Sequence, residues 1–168
     1  MIPASRETTA AGRRDLADDA ATRRVGAALG RALGPGDAVL LTGDLGAGKT
    51  ALARAAIAAR IGEGEEIPSP TFTLVQTYEA RDGAAPLRLV HADLYRLSDP
   101  DEAWELGLDE AFEDAAVFVE WPDRLGRLAP ARRLELTLEP TASGGRRLSW
   151  LAVGGDWGRA LAALEAES

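Results

Sequence analysis

The chain of 168 residues contains no cysteine and a single histidine. The first absence excludes disulfide bonds and thiolate metal sites, and with them a disulfide-stabilised secreted fold. The second leaves too few imidazoles for a zinc site built from histidine. Lysine is equally rare, because Lys49 is the only one and every other basic residue is arginine. An ammonium is a compact point charge whereas guanidinium is a planar fork, so position 49 is expected to need the small charge.

Long hydrophobic runs are also missing. No apolar run approaches the roughly 20 residues that a transmembrane helix needs. The N-terminus, MIPASRETTAAGRRDLADDA, is charged and lacks the apolar centre of a signal peptide. We therefore expect a cytoplasmic protein that does not associate with membranes.

Positive charge is in deficit, since the net charge is -8. An acidic protein is a poor autonomous binder of DNA or RNA, because phosphate neutralisation supplies most of that affinity. We interpret the four arginine pairs, at 13–14, 23–24, 132–133 and 146–147, as solvated surface. Contact with DNA is not expected, and contact with RNA is expected only through a partner.

The order of predicted elements indicates a single α/β domain with a mixed sheet, flanked by helices. Residues 1–14 are small and polar, and we predict that they are disordered. Residues 15–168 show no repeat and no linker, and form one P-loop NTPase-like domain with parallel core strands and antiparallel hairpins. The predicted strands are 38–43, 72–80, 87–95, 116–122, 132–140 and 146–153, and the predicted helices begin near 19, 50, 99 and 157.

A phosphate-binding loop is the most specific signal. Gly43, Gly48, Lys49 and Thr50 fit the pattern G-x-x-x-x-G-K-[ST], after an apolar strand and before a helix. Glycines let backbone N–H groups converge on a phosphate, and the following helix adds its positive end. Lys49 is expected to contact the β- and γ-phosphates, and the Thr50 hydroxyl to bind Mg²⁺. The predicted nucleotide-binding residues of the loop are Asp44, Leu45, Gly46, Ala47, Gly48, Lys49 and Thr50.

Two carboxylates end neighbouring predicted strands. Asp93 closes LRLVHAD and Glu120 closes AVFVE, and ligands bind at the carboxyl ends of strands in open α/β sheets. One would hold Mg²⁺ and the other would orient the attacking water, with both assignments open. His91 is either structural or positions Asp93 or a phosphate. Trp121 is either part of the core or stacks on the base or a partner.

The loop IPSPTFTLV, residues 67–75, follows the second helix. Thr71 and Thr73 offer hydroxyls there, and threonine-bearing switch loops of GTPases sense the γ-phosphate and Mg²⁺. The alternative interpretation is an ordinary loop that leads into a strand.

Five motifs in one order, GDLGAGKT, SPTFTLV, HADLYRL, ELGLDE and VEWPDRL, resemble the TsaE family, the P-loop ATPase of bacterial tRNA threonylcarbamoyladenosine biosynthesis. The resemblance covers nearly the whole chain. It implies ATP or ADP binding with Mg²⁺, and weak hydrolysis by the protein alone. It also implies TsaD and TsaB as partners, which transfer threonylcarbamoyl to adenosine 37 of tRNAs that read ANN codons, so that tRNA is met only through the complex.

The resemblance also carries site residues. It implies Thr50 and Glu120 as the Mg²⁺ ligands, and Asp93 as the essential aspartate of the H-x-D-x-Y-R motif. Lys49, Asp93 and Glu120 are thus the expected catalytic residues. Thr71 lies in the switch-like loop, and Thr22 falls in the region near the adenine.

Two other function classes use the same loop. A small-molecule or nucleoside kinase would need a basic lid and an acceptor pocket, and the acidic GEGEE stretch is a poor lid. An ATP-sensing module without hydrolysis would need neither carboxylate. Sequence alone does not separate this module from a partner-dependent ATPase.

Overall fold

A computed structural model describes residues 9–62, 67 and 74–166. The strands are β1 (Thr9–Leu16), β2 (Ala38–Thr42), β3 (Val75–Ala80), β4 (Leu87–Asp93), β5 (Ala116–Glu120), β6 (Arg133–Pro140) and β7 (Arg146–Val153). The helices are α1 (Asp19–Ala32), α2 (Lys49–Ile61), α3 (Asp101–Glu105), α4 (Leu108–Asp114) and α5 (Gly158–Glu165), with a 3-10 segment at Pro122–Leu128. No helix among these residues is long and apolar enough to cross a membrane.

The described strands form one mixed sheet of seven, in the order β1-β7-β6-β2-β5-β4-β3. The central strand β2 is parallel to both β5 and β6, and β4 is parallel to β5. The edges are antiparallel, because β3 pairs with β4, β6 with β7, and β1 with β7. The predicted mixed α/β domain, with parallel core strands and antiparallel hairpins, is confirmed.

Helices cover both faces of the sheet. α1, α2 and α5 pack on one face, around residues such as Leu41, Leu52 and Phe118. α3, α4 and the 3-10 segment pack on the other, around a smaller cluster that includes Val119 and Leu125. The core strands are buried on both faces, which explains why AVLLT and AVFVE read as continuous apolar runs.

α1 lies unusually close to α2. A Cβ atom built on Gly30 would come within 2.2 Å of the carbonyl oxygen of Ala56, so only glycine permits this approach. The side chain of Asp18 caps α1 by accepting a hydrogen bond from Ala21 N at 2.8 Å. A Cβ on Gly26 would likewise come within 2.5 Å of the carbonyl oxygen of Leu52, so the two helices stay in close contact at a second point.

Two predictions about the elements are wrong. Disorder was expected through residue 14, but residues 9–14 belong to β1, whose hydrogen bonds come from distant β7. Residues 1–8 lie outside the described residues. The single helix expected to begin near residue 99 is divided into α3 and α4 by Gly107, whose φ of 78° is left-handed and interrupts the helical ladder.

Candidate functional site

The phosphate loop turns sharply between β2 and α2. Gly46 and Gly48 have φ values of 81° and 108°, in the region that glycine adopts without strain. Gly43 lies close to β6, the neighbouring strand of the sheet, because an added Cβ would lie 2.6 Å from the carbonyl oxygen of Leu138. The loop is thereby held to the sheet on one side, and the N-terminus of α2 opens on the other.

Lys49 folds back over its own loop. The side chain is only 4% exposed, and Nζ donates to the carbonyl oxygens of Gly43 and, at 3.4 Å, of Asp44. Nζ also lies 3.7 Å from the centroid of the Trp121 ring. Loss of hydration on burial lowers the pKa of Lys49, while the carboxylates of Glu120, Asp93 and Asp44 act in the opposite direction. The only ammonium side chain of the protein is therefore confined to the phosphate loop.

Glu120 forms a bridge between the loop and the sheet. It is 2% exposed at the end of β5. The Thr50 hydroxyl donates to its Oε1 at 2.7 Å, and His91 Nε2 lies 2.8 Å from its Oε2. The structure thus brings together Thr50 and Glu120, the pair that the resemblance implies as Mg²⁺ ligands, and places the only histidine directly behind them.

Asp93 ends β4 and pairs in register with Glu120. Its Oδ1 accepts a hydrogen bond from the backbone N–H of Tyr95 at 3.1 Å. Burial raises the pKa of Asp93 above its ordinary value, with a smaller contribution of the same sign from Glu120, while the Tyr95 N–H, His91 and Lys49 act against it. A carboxyl group with a raised pKa is a better proton acceptor near neutral pH than a fully solvated aspartate.

Trp121 turns the chain back over the cleft. It is the only non-glycine residue with positive φ, 60°, in the described part of the chain. A left-handed residue other than glycine costs about 1–2 kcal/mol, and Pro122 follows immediately. The indole lies between Lys49 and Tyr95, whose ring centroid is 5.0 Å away at an angle of 48°. Trp121 lines the cleft and also packs against the hydrophobic cluster under α3, α4 and the 3-10 segment, so it belongs to both the core and the cleft wall.

The residue at the other end of the cleft, Arg146, was not predicted from the sequence as a site residue. Arg146, at the start of β7, donates to Asp19 Oδ1 at 2.6 Å and to Thr22 Oγ1 at 3.2 Å. Its guanidinium lies against the phosphate loop, because a Cβ on Gly48 would come within 2.3 Å of Arg146 Nη1. The expectation that Arg146 is solvated surface is wrong, since 17% of its side chain is exposed. Arg23, Arg96 and Arg146 all line the cleft, which gives its walls three guanidinium groups.

These groups enclose a cleft of about 540 Å³, within the range of small-molecule sites. Of the expected site residues, the cleft is lined by Leu45, Gly46, Ala47, Gly48, Lys49, Thr50, Asp93 and Glu120. Asp44 lies on the opposite side of the loop, at a separate hollow. Thr22 is completely buried behind Arg146 and does not reach the cleft surface. Thr71 and the proposed switch residues 68–73 lie outside the described residues.

The oxygen atoms of Thr50 and Glu120 fit a Mg²⁺ ion that is also bound by nucleotide phosphates better than a metal ion held by protein side chains alone. No group of three histidine, aspartate or glutamate side chains among the described residues is arranged to bind a metal ion. The Thr50 hydroxyl and the Glu120 carboxylate nevertheless converge at the N-terminus of α2. Mg²⁺ commonly takes only one or two protein oxygens and completes its shell with phosphates and water.

A family model described as "Threonylcarbamoyl adenosine biosynthesis protein TsaE" matches residues 16–148. A protein of Mycobacterium tuberculosis (strain ATCC 25618 / H37Rv) named "tRNA threonylcarbamoyladenosine biosynthesis protein TsaE" is 39% identical over 145 residues, 82% of this chain and 82% of its own length. A protein of the same name from Rickettsia conorii is 42% identical over 118 residues. That match covers 70% of this chain and 65% of the relative, so the chain spans slightly less than two thirds of the rickettsial protein.

Among solved structures, the crystal structure of Bacillus subtilis YdiB superposes with a TM-score of 0.72. The two sequences are 26% identical, and the superposition covers 96% of this chain and 97% of YdiB. The similarity therefore extends over the whole sheet and is not limited to the phosphate loop.

Proposed function

Because this chain belongs to the TsaE family, we propose that it binds ATP with Mg²⁺ and hydrolyses it to ADP and phosphate in support of tRNA threonylcarbamoyladenosine synthesis. Hydrolysis is weak in the isolated protein. It sustains turnover of a TsaD–TsaB complex that transfers threonylcarbamoyl to adenosine 37 of tRNAs that read ANN codons. The relatives' names support the pathway, and the cleft supports the chemistry.

The observation that carries the proposal is the contact between Thr50 and Glu120. A hydroxyl from the first turn of α2 and a carboxylate from the end of β5 meet at 2.7 Å beside the phosphate loop. Glu120 is almost completely buried, with Thr50 at one carboxylate oxygen and His91 at the other, so its position at the loop is fixed. Thr50 and Glu120 would hold Mg²⁺, which neutralises charge on the β- and γ-phosphate oxygens.

Lys49 has to move for ATP to bind. In this structure its ammonium is satisfied by the loop carbonyls and by the face of Trp121. Phosphate oxygens are stronger partners than neutral carbonyls or an indole face, because both partners are then charged. Lys49 therefore exchanges these internal contacts for the β- and γ-phosphates, while backbone N–H groups of the loop surround the same phosphates.

Asp93 orients the attacking water. It lies beside Glu120 at the carboxyl end of the neighbouring strand. Its carboxylate is not bonded to Thr50, and the residue remains partly accessible. Its raised pKa suits a group that accepts a proton from water. Lys49 and the N-terminus of α2 stabilise the negative charge of the transferring phosphoryl group.

The acidic surface favours indirect contact with RNA. A net charge of -8 opposes autonomous binding to a phosphate backbone. The arginines that line the cleft, Arg23, Arg96 and Arg146, surround the nucleotide site itself. Partner proteins therefore supply the RNA contacts in this proposal.

The test is ATP hydrolysis by the purified protein, alone and with TsaD, TsaB and tRNA, with Lys49→Ala as the blank. Low activity that increases when the partners are added would support the proposal. Activity that ignores the partners, with phosphate passed to an added nucleoside or sugar, would replace it with a kinase. Nucleotide binding without hydrolysis, in any combination of partners, would leave an ATP-sensing module.

A further inference from the structure

His91 is completely buried in β4 and is the only histidine of the protein. Its Nε2 lies 2.8 Å from Oε2 of Glu120, whose other oxygen accepts the Thr50 hydroxyl. The second ring nitrogen, Nδ1, is buried and has no hydrogen-bond partner among the described residues. One continuous line of side chains therefore runs from the interior of the sheet to the phosphate loop.

The unpartnered Nδ1 favours one tautomer of the ring. An ionised carboxylate only accepts hydrogen bonds, so the proton of the His91–Glu120 contact belongs to Nε2. A second proton on Nδ1 would place an N–H donor in the core with no acceptor, which costs about 1–3 kcal/mol. The arrangement fits a neutral ring that carries its hydrogen on Nε2.

We propose that His91 is a positioning residue whose Nε2–H fixes the carboxylate of Glu120. With Oε2 held by His91, Oε1 is turned towards Thr50. The two oxygens proposed to bind Mg²⁺, the Thr50 hydroxyl and Glu120 Oε1, are then in place before a nucleotide binds. The inference rests on the proposed function, because the Mg²⁺ ion concerned is the one that accompanies ATP or ADP. His91 itself touches neither nucleotide nor metal.

Glu120 requires such a partner for two reasons. Its side chain has three rotatable bonds and is almost completely buried, so water is not available to hold Oε2. Among the described side chains, only His91 makes a hydrogen bond to that oxygen. The carboxyl group of Asp93, at the end of the neighbouring strand, pairs in register with Glu120 and repels it. Hydrogen bonds from outside the metal shell commonly orient ligating carboxylates, and their loss weakens metal affinity by about 10–100-fold.

The first test observes the ring directly. In a ¹⁵N-labelled chain without a histidine tag, all imidazole signals belong to His91, because no other histidine exists. We expect the neutral Nε2–H tautomer in the free protein, and a change in its Nε2 signal when ADP and Mg²⁺ are added. A hydrogen on Nδ1 instead would overturn the proposal, since Nε2 would then have no proton to donate to Glu120.

The second test compares His91→Leu with His91→Gln. Leucine fills the space without a donor, whereas the amide nitrogen of glutamine reaches a position near that of Nε2 and preserves the donor. Calorimetric titration gives the affinity for ADP in EDTA and in Mg²⁺. We expect His91→Leu to keep its affinity in EDTA but to bind Mg²⁺ in the ADP complex about 10–100-fold more weakly. His91→Gln should recover most of that loss, which a purely structural role would not predict.

A double-mutant cycle with Glu120→Gln isolates the pathway of the effect. If His91 acts only through Glu120, the double variant His91→Leu, Glu120→Gln should bind Mg²⁺ no more weakly than Glu120→Gln alone. Additive losses would overturn the proposal. If His91→Leu does not fold, the tautomer and the His91→Gln variant still decide.

The outcomes separate this inference from the proposed function. If Mg²⁺ increases the ADP affinity of the wild-type protein and increases that of His91→Leu equally, the role of His91 would be overturned and the proposed function would stand. A wild-type protein that binds ADP equally well with and without Mg²⁺ would overturn the metal site of the proposed function, and the role of His91 with it.

Discussion

The ammonium of Lys49 lies 3.7 Å from the centre of the Trp121 ring, so the only lysine and the residue after Glu120 are in direct contact. Such cation–π contacts contribute about 0.5–2 kcal/mol, depending on how far they are desolvated. Three observations converge here: the only lysine, the only left-handed non-glycine residue among those described, and the end of β5. A nucleotide that draws Lys49 to its phosphates must change the surroundings of the indole.

Nucleotide binding is therefore expected to change the intrinsic fluorescence of Trp121. The cation leaves the ring face, and the emission of the indole changes in wavelength and intensity. A fluorescence titration with ADP and Mg²⁺ measures this change. Trp121→Phe should abolish most of it, whereas Trp104→Phe should keep it, because Trp104 is 61% exposed and lies outside the cleft. A full signal from Trp121→Phe would show that Lys49 stays where it is.

Lys49→Ala is expected to weaken binding of ATP by roughly 10- to 100-fold, as the loss of a hydrogen bond to a charged group predicts. The fold should remain intact, since removing a desolvated charge relieves a cost of burial. Isothermal titration and thermal unfolding measure the two effects. Lys49→Arg keeps the charge and is the matched control, and we expect poor recovery because the planar guanidinium does not fit the space of an ammonium. Wild-type affinity in Lys49→Ala would contradict the phosphate-loop assignment.

Asp93→Asn is expected to stabilise the free protein at neutral pH. The folded-state pKa of Asp93 is raised, mainly by burial, so ionisation above that pKa costs stability in the folded state. The gain from asparagine should be complete above the folded pKa. It should disappear as the pH falls through the folded pKa to the ordinary value of aspartate, about 3.9. Melting temperatures of both proteins from pH 7 downwards measure it.

Asp99→Asn is the matched control for that series. Asp99 Oδ1 also accepts a backbone hydrogen bond from the residue two positions ahead, at 2.9 Å, but its side chain is exposed. Its replacement should leave the melting temperature almost unchanged at neutral pH. A stabilisation equal to that of Asp93→Asn would mean that net charge, rather than burial, causes the effect.

Arg146→Ala is expected to lower the affinity for ADP severalfold, whereas Arg147→Ala should not. Arg146 joins Asp19 of α1 to the phosphate loop at Gly48, while its neighbour Arg147 pairs with Asp15 on the exposed edge. The two variants remove the same charge from adjacent positions, so a difference between them isolates the cleft contact. Equal affinities, measured by calorimetric titration, would show that the Arg146 contact with the phosphate loop does not contribute to nucleotide binding.

The elements predicted correctly are those whose signals are local. The glycine-rich pattern ending at Gly48, Lys49 and Thr50, between an apolar strand and a helix, predicted the loop. Two strand-like runs around RDGAAP predicted the hairpin of β3 with β4, and alternation predicted that of β6 with β7. Glu120 and Asp93 were found because each ends an apolar strand. In these cases the structure of a segment is determined mainly by residues that are adjacent to it in sequence.

The features that were missed depend on distant partners. β1 has few apolar residues, and its Gly12 leaves room for the indole of Trp150, since a Cβ there would lie 2.4 Å from the ring. Nothing near Gly12 in sequence signals this contact. Arg146 likewise resembles its exposed neighbour until β7 is placed beside α1. The hydrogen bond from His91 to Glu120 was not predicted either, because it crosses between two strands.

The pairing of β1 with β7 also has a consequence for synthesis of the chain. On the ribosome, β1 emerges before every other described element, and β7 emerges after the phosphate loop, β4 and β5 are already free to associate. The edge strand β1 therefore has no partner in the sheet until β7 has been synthesised. Because β7 also carries Arg146 into the cleft and such long-range pairings form slowly, nascent protein is expected to complete the cleft only when β1 becomes protected from proteases.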